Sequence, residues 1–484
     1  MHAQLKFRGT MTVVAVDFAA RNPAAAAEPA RLECAELLRL GEMLAAKIPQ
    51  ADSRLQAWQA AVSALMDDDL PPWRMEAELD RLALVLRRIC LGLAHAASDR
   101  ALRSPRDRDL VLAPDGTTMD FGYERSLEPE GLEARCERYA PAPKGWRSDH
   151  FLFSSGQAAM NALLLALAPR GAKPTNPPRI RQLGGYFETE ELVAMLASHG
   201  MARELAKDGA DSADVLIIEP VYFDRAAQVH FVDINQALRA HCASAEGCPS
   251  LVIVDTTLAG PGFELDRMLS QEMACSEPPP LLVRISSGLK LDQAGLELAN
   301  VGIVSMYRHE RQTFAIDPAE KLKKARVLTG AGLGFDATGA LQAPWFLDRD
   351  YARFYAGAVF ENNALLARRL SQIDGLFSQI SHPALGTEQG EAPFVLLQLH
   401  EDTTGDYQRL EEIIAREAKA RQWRFDKGGS FGFRGHRYEA ILPQAGEITP
   451  FLRVALGARK GWSRDGIVGL LCEIARAPSL SALS

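Results

Sequence analysis

Four stretches of this 484-residue chain set a reactive or charged side chain in surroundings that a solvated residue would not need. In RISSGLKLDQAG, residues 284–295, Lys290 follows Ser286, Ser287 and Gly288, just beyond the apolar run PPLLV. A lysine that must form an imine has to be partly desolvated, so that its amine is neutral often enough to act as a nucleophile. Small neighbours also let a flat partner approach the backbone. Asp255, in IVDTTLAGP, closes an apolar run where a carboxylate is costly unless paired. It reads either as a cap on the following segment or as a carboxylate facing a protonated ring nitrogen. In FLFSSGQAAMNALLL, Ser154, Ser155, Gly156 and Gln157 precede a helical pattern. Free N–H groups at a helix start make an anion site suited to a phosphate, although a plain N-cap serine is the commoner use. Arg453, in FLRVALGAR, sits inside an apolar strand-like run. It needs an acidic partner there, which an internal carboxylate or the α-carboxylate of a bound amino acid would supply.

These residues are placed by a recognisable order of elements. Residues 24–101 carry apolar residues at helical spacing, broken into at least two helices by the prolines of MDDDLPPW. Packing or oligomer contact is the expected use of this extension. From about 145 to 330, apolar strands (DVLIIEP, SLVIVDTTLAG, PPLLVRISS) alternate with helices (QAAMNALLLALA, ETEELVAMLASHG). That alternation predicts an α/β domain with a mostly parallel sheet, whose ligands bind beyond the carboxyl ends of the strands. The rule points to Glu219, Asp255 and the segment from Ser286 to Lys290. A long helix within 340–380 leads to a C-terminal α+β domain containing APFVLLQLH, FLRVALG and a closing helix. The expected division is a helical extension over 1–115, a large domain over 116–345 and a small domain over 346–484.

Composition excludes several classes. An apolar fraction of 47% and a charged fraction of 24% are those of a globular protein. A net charge of −8 leaves no basic excess for nucleic acid or an anionic membrane. No apolar run reaches membrane-spanning length, and the first 22 residues lack the charged start and long hydrophobic core of a signal peptide. The seven cysteines are scattered, with Cys242 and Cys248 the closest pair, and no zinc-type grouping surrounds them; no metal is expected. Reduced thiols and a cytoplasmic, oligomeric protein are the expectation.

In this order the motifs resemble the pyridoxal-phosphate enzymes of cysteine and methionine metabolism, which include cystathionine synthases and lyases and methionine γ-lyase. The resemblance runs from about residue 117 to the C-terminus. SSGQAAM is similar to the family's Ser-Gly-Met-Ala-Ala loop, VDTTLAGP to Val-Asp-Asn-Thr-Phe-Ala-Thr-Pro, and ISSGLK to Ser-x-Thr-Lys. FGYERSLEPEGLEARCERYA resembles the Tyr-x-Arg segment and its helix, while GGSFG and FLRVALG resemble the C-terminal Ser-Leu-Gly and Arg-x-Ser-x-Gly pieces.

The resemblance implies the type I fold of pyridoxal-phosphate transferases, similar to aspartate aminotransferase, in a homodimer or homotetramer with shared sites. Pyridoxal 5'-phosphate would be held as a Schiff base on Lys290, with Asp255 at its ring nitrogen. Ser155, Gly156, Gln157 and Ser287 would bind the cofactor, and Tyr123 and Arg125 would reach the phosphate of a neighbouring subunit. Ser430 and Arg453 would take the carboxylate of an amino-acid substrate.

The chain departs from the family where Leu183-Gly184-Gly185-Tyr186 stands for Tyr-Gly-Gly-Thr, leaving Tyr186 or Phe187 to stack on the ring. Leu289 replaces the threonine before the lysine, Phe223-Asp224 replaces Asn-Pro, and LDRMLSQEMACSEPPP adds length between Asp255 and Lys290. The implied activity is that of a lyase or a γ-elimination or γ-replacement enzyme, with alkyne-forming dehalogenation as a specialised form. An aminotransferase, a carbon–carbon bond-forming enzyme and a silent scaffold of the same fold are the alternatives.

Overall fold

The computed structural model describes residues 23–48, 52–98, 102–106, 111–168, 176–209, 211–242, 248–265, 279–386, 390–400, 403–442 and 449–483. The segment 1–22, Cys275 and most of the extra length before Lys290 lie outside the described residues.

Three helices come first: α1 (Pro23–Ala45), α2 (Ser53–Asp67) and α3 (Pro72–Ser98). The Asp52 side chain caps α2 by accepting the N–H groups of Arg54 and Leu55 at 2.8 and 3.3 Å. Pro72 opens α3, where its missing N–H costs no helical bond. Their leucine stripes meet in a core with Leu37, Leu40, Leu79 and Leu86. That core continues into the body of the protein through Leu291, Ala294, Leu296, Leu298, Trp345 and Tyr355. The extension is therefore packed on its own chain.

A short ribbon of β1 (Val111–Leu112) and β2 (Thr118–Met119) and helix α4 (Glu130–Tyr139) lead into the large sheet. Its elements run β3 (Trp146–Phe153), α5 (Gly156–Leu167), β4 (Arg179–Leu183), α6 (Phe187–Ser198), β5 (Arg203–Leu205) and β6 (Val215–Ile218). A side hairpin of β7 (Val221–Phe223) and β8 (Val229–Phe231) follows, then α7 (Ile234–Cys242), β9 (Leu251–Asp255), β10 (Leu281–Ser287) and β11 (Gly302–His309). The sheet order is β3-β11-β10-β9-β6-β4-β5. The pairs from β10 to β5 are parallel, as the alternation predicts, and β11 is antiparallel to both its neighbours. Register brings the strand ends into one row. Leu183 pairs with Ile218, Ile218 with Val254, Asp255 with Ile285, Ser287 with Gly302 and Gly302 with Phe153.

The cysteine expectation is corrected at one point: Cys242 and Cys248 form a disulfide, whereas Cys34, Cys90, Cys136 and Cys472 are free and buried. Helix α7 ends at Cys242 and the chain must reverse to enter β9, which brings the pair to a Cα separation of 3.9 Å.

Beyond α8 (Pro318–Thr329) and α9 (Phe335–Ala340), the long α10 (Arg349–Leu370) serves two cores. Val359 and Phe360 join the core of the N-terminal helices, and Leu366 and Leu370 join that of the C-terminal domain. That domain comprises β12 (Phe377–Ser381), β13 (Val395–Leu399), α11 (Thr404–Ala420), β14 (Phe425–Lys427), β15 (His436–Ile441), β16 (Phe451–Ala455) and α12 (Trp462–Ala475). Its sheet order is β12-β13-β16-β15-β14. Among the described residues, no helix is long and apolar enough to cross a membrane.

Between α1 and the C-terminal domain lies a buried ion cluster. Glu33 bonds Arg459 at 2.8 and 3.0 Å and Arg434 at 3.2 Å, and Glu36 bonds Arg434 at 2.9 Å. Burial pushes the Glu33 carboxyl up, but Arg459 and Arg434 outweigh it and hold it at about 2, against an ordinary 4.5. A depressed carboxyl contributes stability that is present above its unfolded value and lost as pH falls towards the folded one. Glu33→Gln should therefore lower unfolding stability by about 3–5 kcal/mol at pH 7. The gap to wild type, read by urea unfolding, should narrow between pH 5 and pH 2.

Candidate active site

The row of strand ends collects most of the residues singled out above. Asp255 terminates β9 and Ser287 terminates β10, while Glu219 follows β6 and Gly184 follows β4. Ser155 follows β3 by two residues and caps α5, its hydroxyl accepting the Ala158 N–H at 3.0 Å. Gly156 packs against Ser287, whose N–H is bonded to Thr257 Oγ1 at 3.0 Å. The Thr257 N–H in turn donates to Asp255 Oδ1 at 2.9 Å. A continuous chain of contacts thus joins the start of α5 to Asp255.

Lys290 lies just past β10, and its Nζ donates to Ser430 Oγ of the C-terminal domain. The same nitrogen stands 5.4 Å from the centre of the Phe431 ring. Burial lowers the Lys290 ammonium below its usual range, and the nearby Arg453 charge lowers it further. Arg453 is therefore close enough to act on Lys290. Its guanidinium is 2.5 Å from Glu439 across the β15–β16 pair, and its buried Nε has no partner among the described residues. The internal carboxylate allowed for by sequence is present, and one buried donor remains to be used.

Asp255 is pushed up by burial, against hydrogen bonds from Thr257. Glu219 is pushed up to about 7 by burial and by the neighbouring Asp255 charge. Its Oε1 accepts the N–H groups of Gly185 and Tyr186, both at 3.0 Å. A Cβ at Gly184 would run into that carboxylate, so the position requires glycine as the site is built. Tyr186 caps α6, beside Phe187 at 5.4 Å between ring centres. Burial, a bond to Glu188 and the Asp255 charge all raise its phenol, so Tyr186 faces the same space as Asp255.

The fit to pyridoxal phosphate rests on three features. The backbone N–H groups of Gly156 and Gln157 begin a helix and have no intrahelical acceptor, which suits a phosphate. Asp255 is a costly carboxylate that a cationic ring N–H would stabilise. Lys290 is a desolvated amine. The residues present fit the group. Gln157 turns its side chain to Thr189, at 3.2 Å, so its backbone is the part left for a ligand.

Tyr123 and Arg125 stand apart from this constellation. Tyr123 precedes a short 3-10 turn and Arg125 lies within it, both exposed, with the guanidinium 5.1 Å from the Tyr123 ring centre. Sequence reasoning missed Thr257, Phe431, Glu188 and Glu439. Glu439 carries a signal only once the β15–β16 register is known, since alternation alone places it on a face without naming its neighbour.

Gly184→Ala should destabilise the protein by about 1–3 kcal/mol in chemical unfolding, because the added methyl must displace Glu219. Glu219→Gln mimics the protonated acid and keeps an acceptor for the two N–H groups. A carboxyl raised in the folded state costs stability as pH rises from its unfolded value through its folded one. The glutamine variant should therefore gain on wild type as pH climbs from 5 to 8, read by thermal unfolding.

No family model matches the sequence, and no curated protein is similar to it in sequence. Solved structures are similar. A cystathionine γ-synthase from Xanthomonas oryzae pv. oryzae, in complex with aminoacrylate and cysteine, superposes with a TM-score of 0.54 at 16% identity. The match covers 80% of this chain and 99% of that one. A methionine γ-lyase from Micromonospora echinospora gives 0.51 at 19% identity, over 80% and 92% of the two chains. The metB protein of Corynebacterium glutamicum gives 0.54 at 16%, over 80% and 97%. The chain has the α/β fold of these enzymes, the type I fold of pyridoxal-phosphate transferases.

Proposed function

We propose that this protein is a pyridoxal-phosphate-dependent enzyme that eliminates or replaces a group on the side chain of an α-amino acid. The observation that carries the reading is Lys290, a desolvated amine bonded to Ser430 beside Arg453 and at the strand edge shared with Asp255. The Xanthomonas structure holds aminoacrylate and cysteine, and we infer the same substrate class here, an α-amino acid.

Bound pyridoxal phosphate supplies an electron-withdrawing ring that lets the substrate α-carbon lose its proton. The chain's own groups do the rest. The N–H groups at Gly156 and Gln157, with Ser155 and Ser287, bind the phosphate. Asp255 holds a proton at the ring nitrogen, and its carboxylate gains the cationic partner its burial demands. Arg453 turns its free Nε to the substrate carboxylate, beside Ser430. Lys290, whose ammonium burial and the Arg453 charge disfavour, takes the α-proton when it is in its amine form. For a leaving group at Cγ, the same amine would first give up the α-proton and then serve as the mobile base for the proton at Cβ. Tyr186, whose raised phenol keeps its proton and bonds Glu188, would be the group that passes a proton to a departing group.

The two exposed residues Tyr123 and Arg125 fit the role of completing the phosphate site of a second copy of the chain, in a homodimer or homotetramer. Arg125→Ala should then raise the half-saturating concentration of pyridoxal phosphate roughly tenfold, the loss of a charged hydrogen bond of about 1.4 kcal/mol. Unchanged binding, or full occupancy in an isolated monomer, would remove that role.

The reading is tested by the visible spectrum of the purified protein during titration with a panel of amino acids. A yellow protein is expected, with a band that moves for amino acids bearing a leaving group at Cβ or Cγ and with release of that group. A protein that stays colourless after addition of pyridoxal phosphate would overturn the proposal.

A further inference from the structure

We propose that the N-terminal helices brace the site: Arg87 of α3, together with Glu33 and Glu36 of α1 acting through Arg434, are positioning residues that hold the loop carrying Lys290. The effect on cofactor binding rests on the function proposed above; the effect on the loop does not.

The backbone around Lys290 is held in conformations it would not adopt unaided. Ala294 and Glu297, in the loop after Lys290, have φ of 55° and 48°, and Ser430 on the facing loop has φ of 70°. A non-glycine residue in this left-handed region costs about 1–2 kcal/mol. Such strain persists only where the surroundings over-determine it. Here the surroundings are the extension. The carbonyl of Ala294 accepts from Arg434 Nη1 at 3.2 Å, and the carbonyl of Glu297 accepts from Arg87 Nε, also at 3.2 Å. Both strained peptides are thus pinned by arginines, one of them on α3.

Arg434 is pinned in its turn. It is 5% exposed and bonded to Glu33 and Glu36, the second of which also accepts the Tyr351 hydroxyl at 2.5 Å. Arg434 and Ser430 share the loop of residues 428–435 between β14 and β15, so one guanidinium ties that loop and the Lys290 loop to α1. The loops meet backbone to backbone at Gly432, where a Cβ would strike the Lys290 carbonyl. Apolar contacts point the same way. Leu291, Ala294, Leu296 and Leu298 bury their side chains in the core that α1, α2 and α3 form. Removing those contacts would free a strained loop to relax, and Lys290 would move with it.

The test is hydrogen–deuterium exchange on the full-length chain, comparing wild type with Arg87→Met and Glu36→Gln. Arg87→Met should speed exchange across 291–298 about tenfold, the effect of one lost hydrogen bond from a charged donor. Glu36→Gln should speed it across both 291–298 and 430–435. Peptides from β6 and β9 should stay protected in both variants, and half-saturation by pyridoxal phosphate should rise by a similar factor. Faster exchange confined to residues 23–98, or unchanged exchange at 291–298 in both variants, would overturn the brace. If one variant fails to fold, the other decides by the same criterion. If the loops loosen as described while even wild type ignores pyridoxal phosphate, the brace stands and the proposed function falls.

Discussion

A lysine ammonium prefers water, and the site depends on taking Lys290 partly out of it. The side chain is enclosed between the end of β10, Phe431 and Ser430, with the Arg453 charge nearby. Burial and the Arg453 charge penalise the protonated amine, whereas the Phe431 ring face and the serine oxygen that accepts its hydrogen favour it. The lysine follows a strand of the seven-stranded sheet and its cover comes from the β14–β15 loop of the five-stranded sheet, so the enclosure requires the two sheets to be held in register.

That requirement explains where the protein places its most costly interactions. The charges of Glu33, Glu36, Arg434 and Arg459 are buried at the point where the helices, the Lys290 loop and the C-terminal domain meet. Buried ion pairs are poor sources of net stability, but they are strict about geometry, because removing one partner strands the other. Such a cluster suits a place where position matters more than stability. The opposite edge of the site has a different logic. The Asp255 charge adds to burial in raising Glu219, and the neighbouring backbone N–H groups partly compensate. A cationic ring nitrogen beside Asp255 would relieve that repulsion, so the pair is most settled with a ligand present.

Residues at strand ends were legible in the sequence because their placement follows from local pattern. An apolar run that ends in Asp255, or in Ser287 and Gly288 before Lys290, marks both a buried strand and its carboxyl end. The row that aligns them needs only the parallel sheet. Strand β11 was not anticipated, since VGIVSMYRH carries no turn signal to announce its reversed direction. Partners that depend on distant folding were also hidden. Glu33 meets Arg434 across 401 residues, and Arg87 meets the Glu297 carbonyl across 210. No periodicity encodes such pairs. The use of the extension was open for the same reason: a leucine stripe shows that a face is buried without naming what covers it. The disulfide between Cys242 and Cys248 was overlooked because scattered cysteines suggested reduced thiols, while the short reversal between α7 and β9 brings this one pair together.

The most direct test of the central claim is to incubate the protein with pyridoxal phosphate, reduce with borohydride, and map the modified lysine by peptide mass spectrometry. The account predicts one dominant adduct, on Lys290, absent from Lys290→Ala. Labelling spread over several lysines, with Lys290 unmodified, would contradict it.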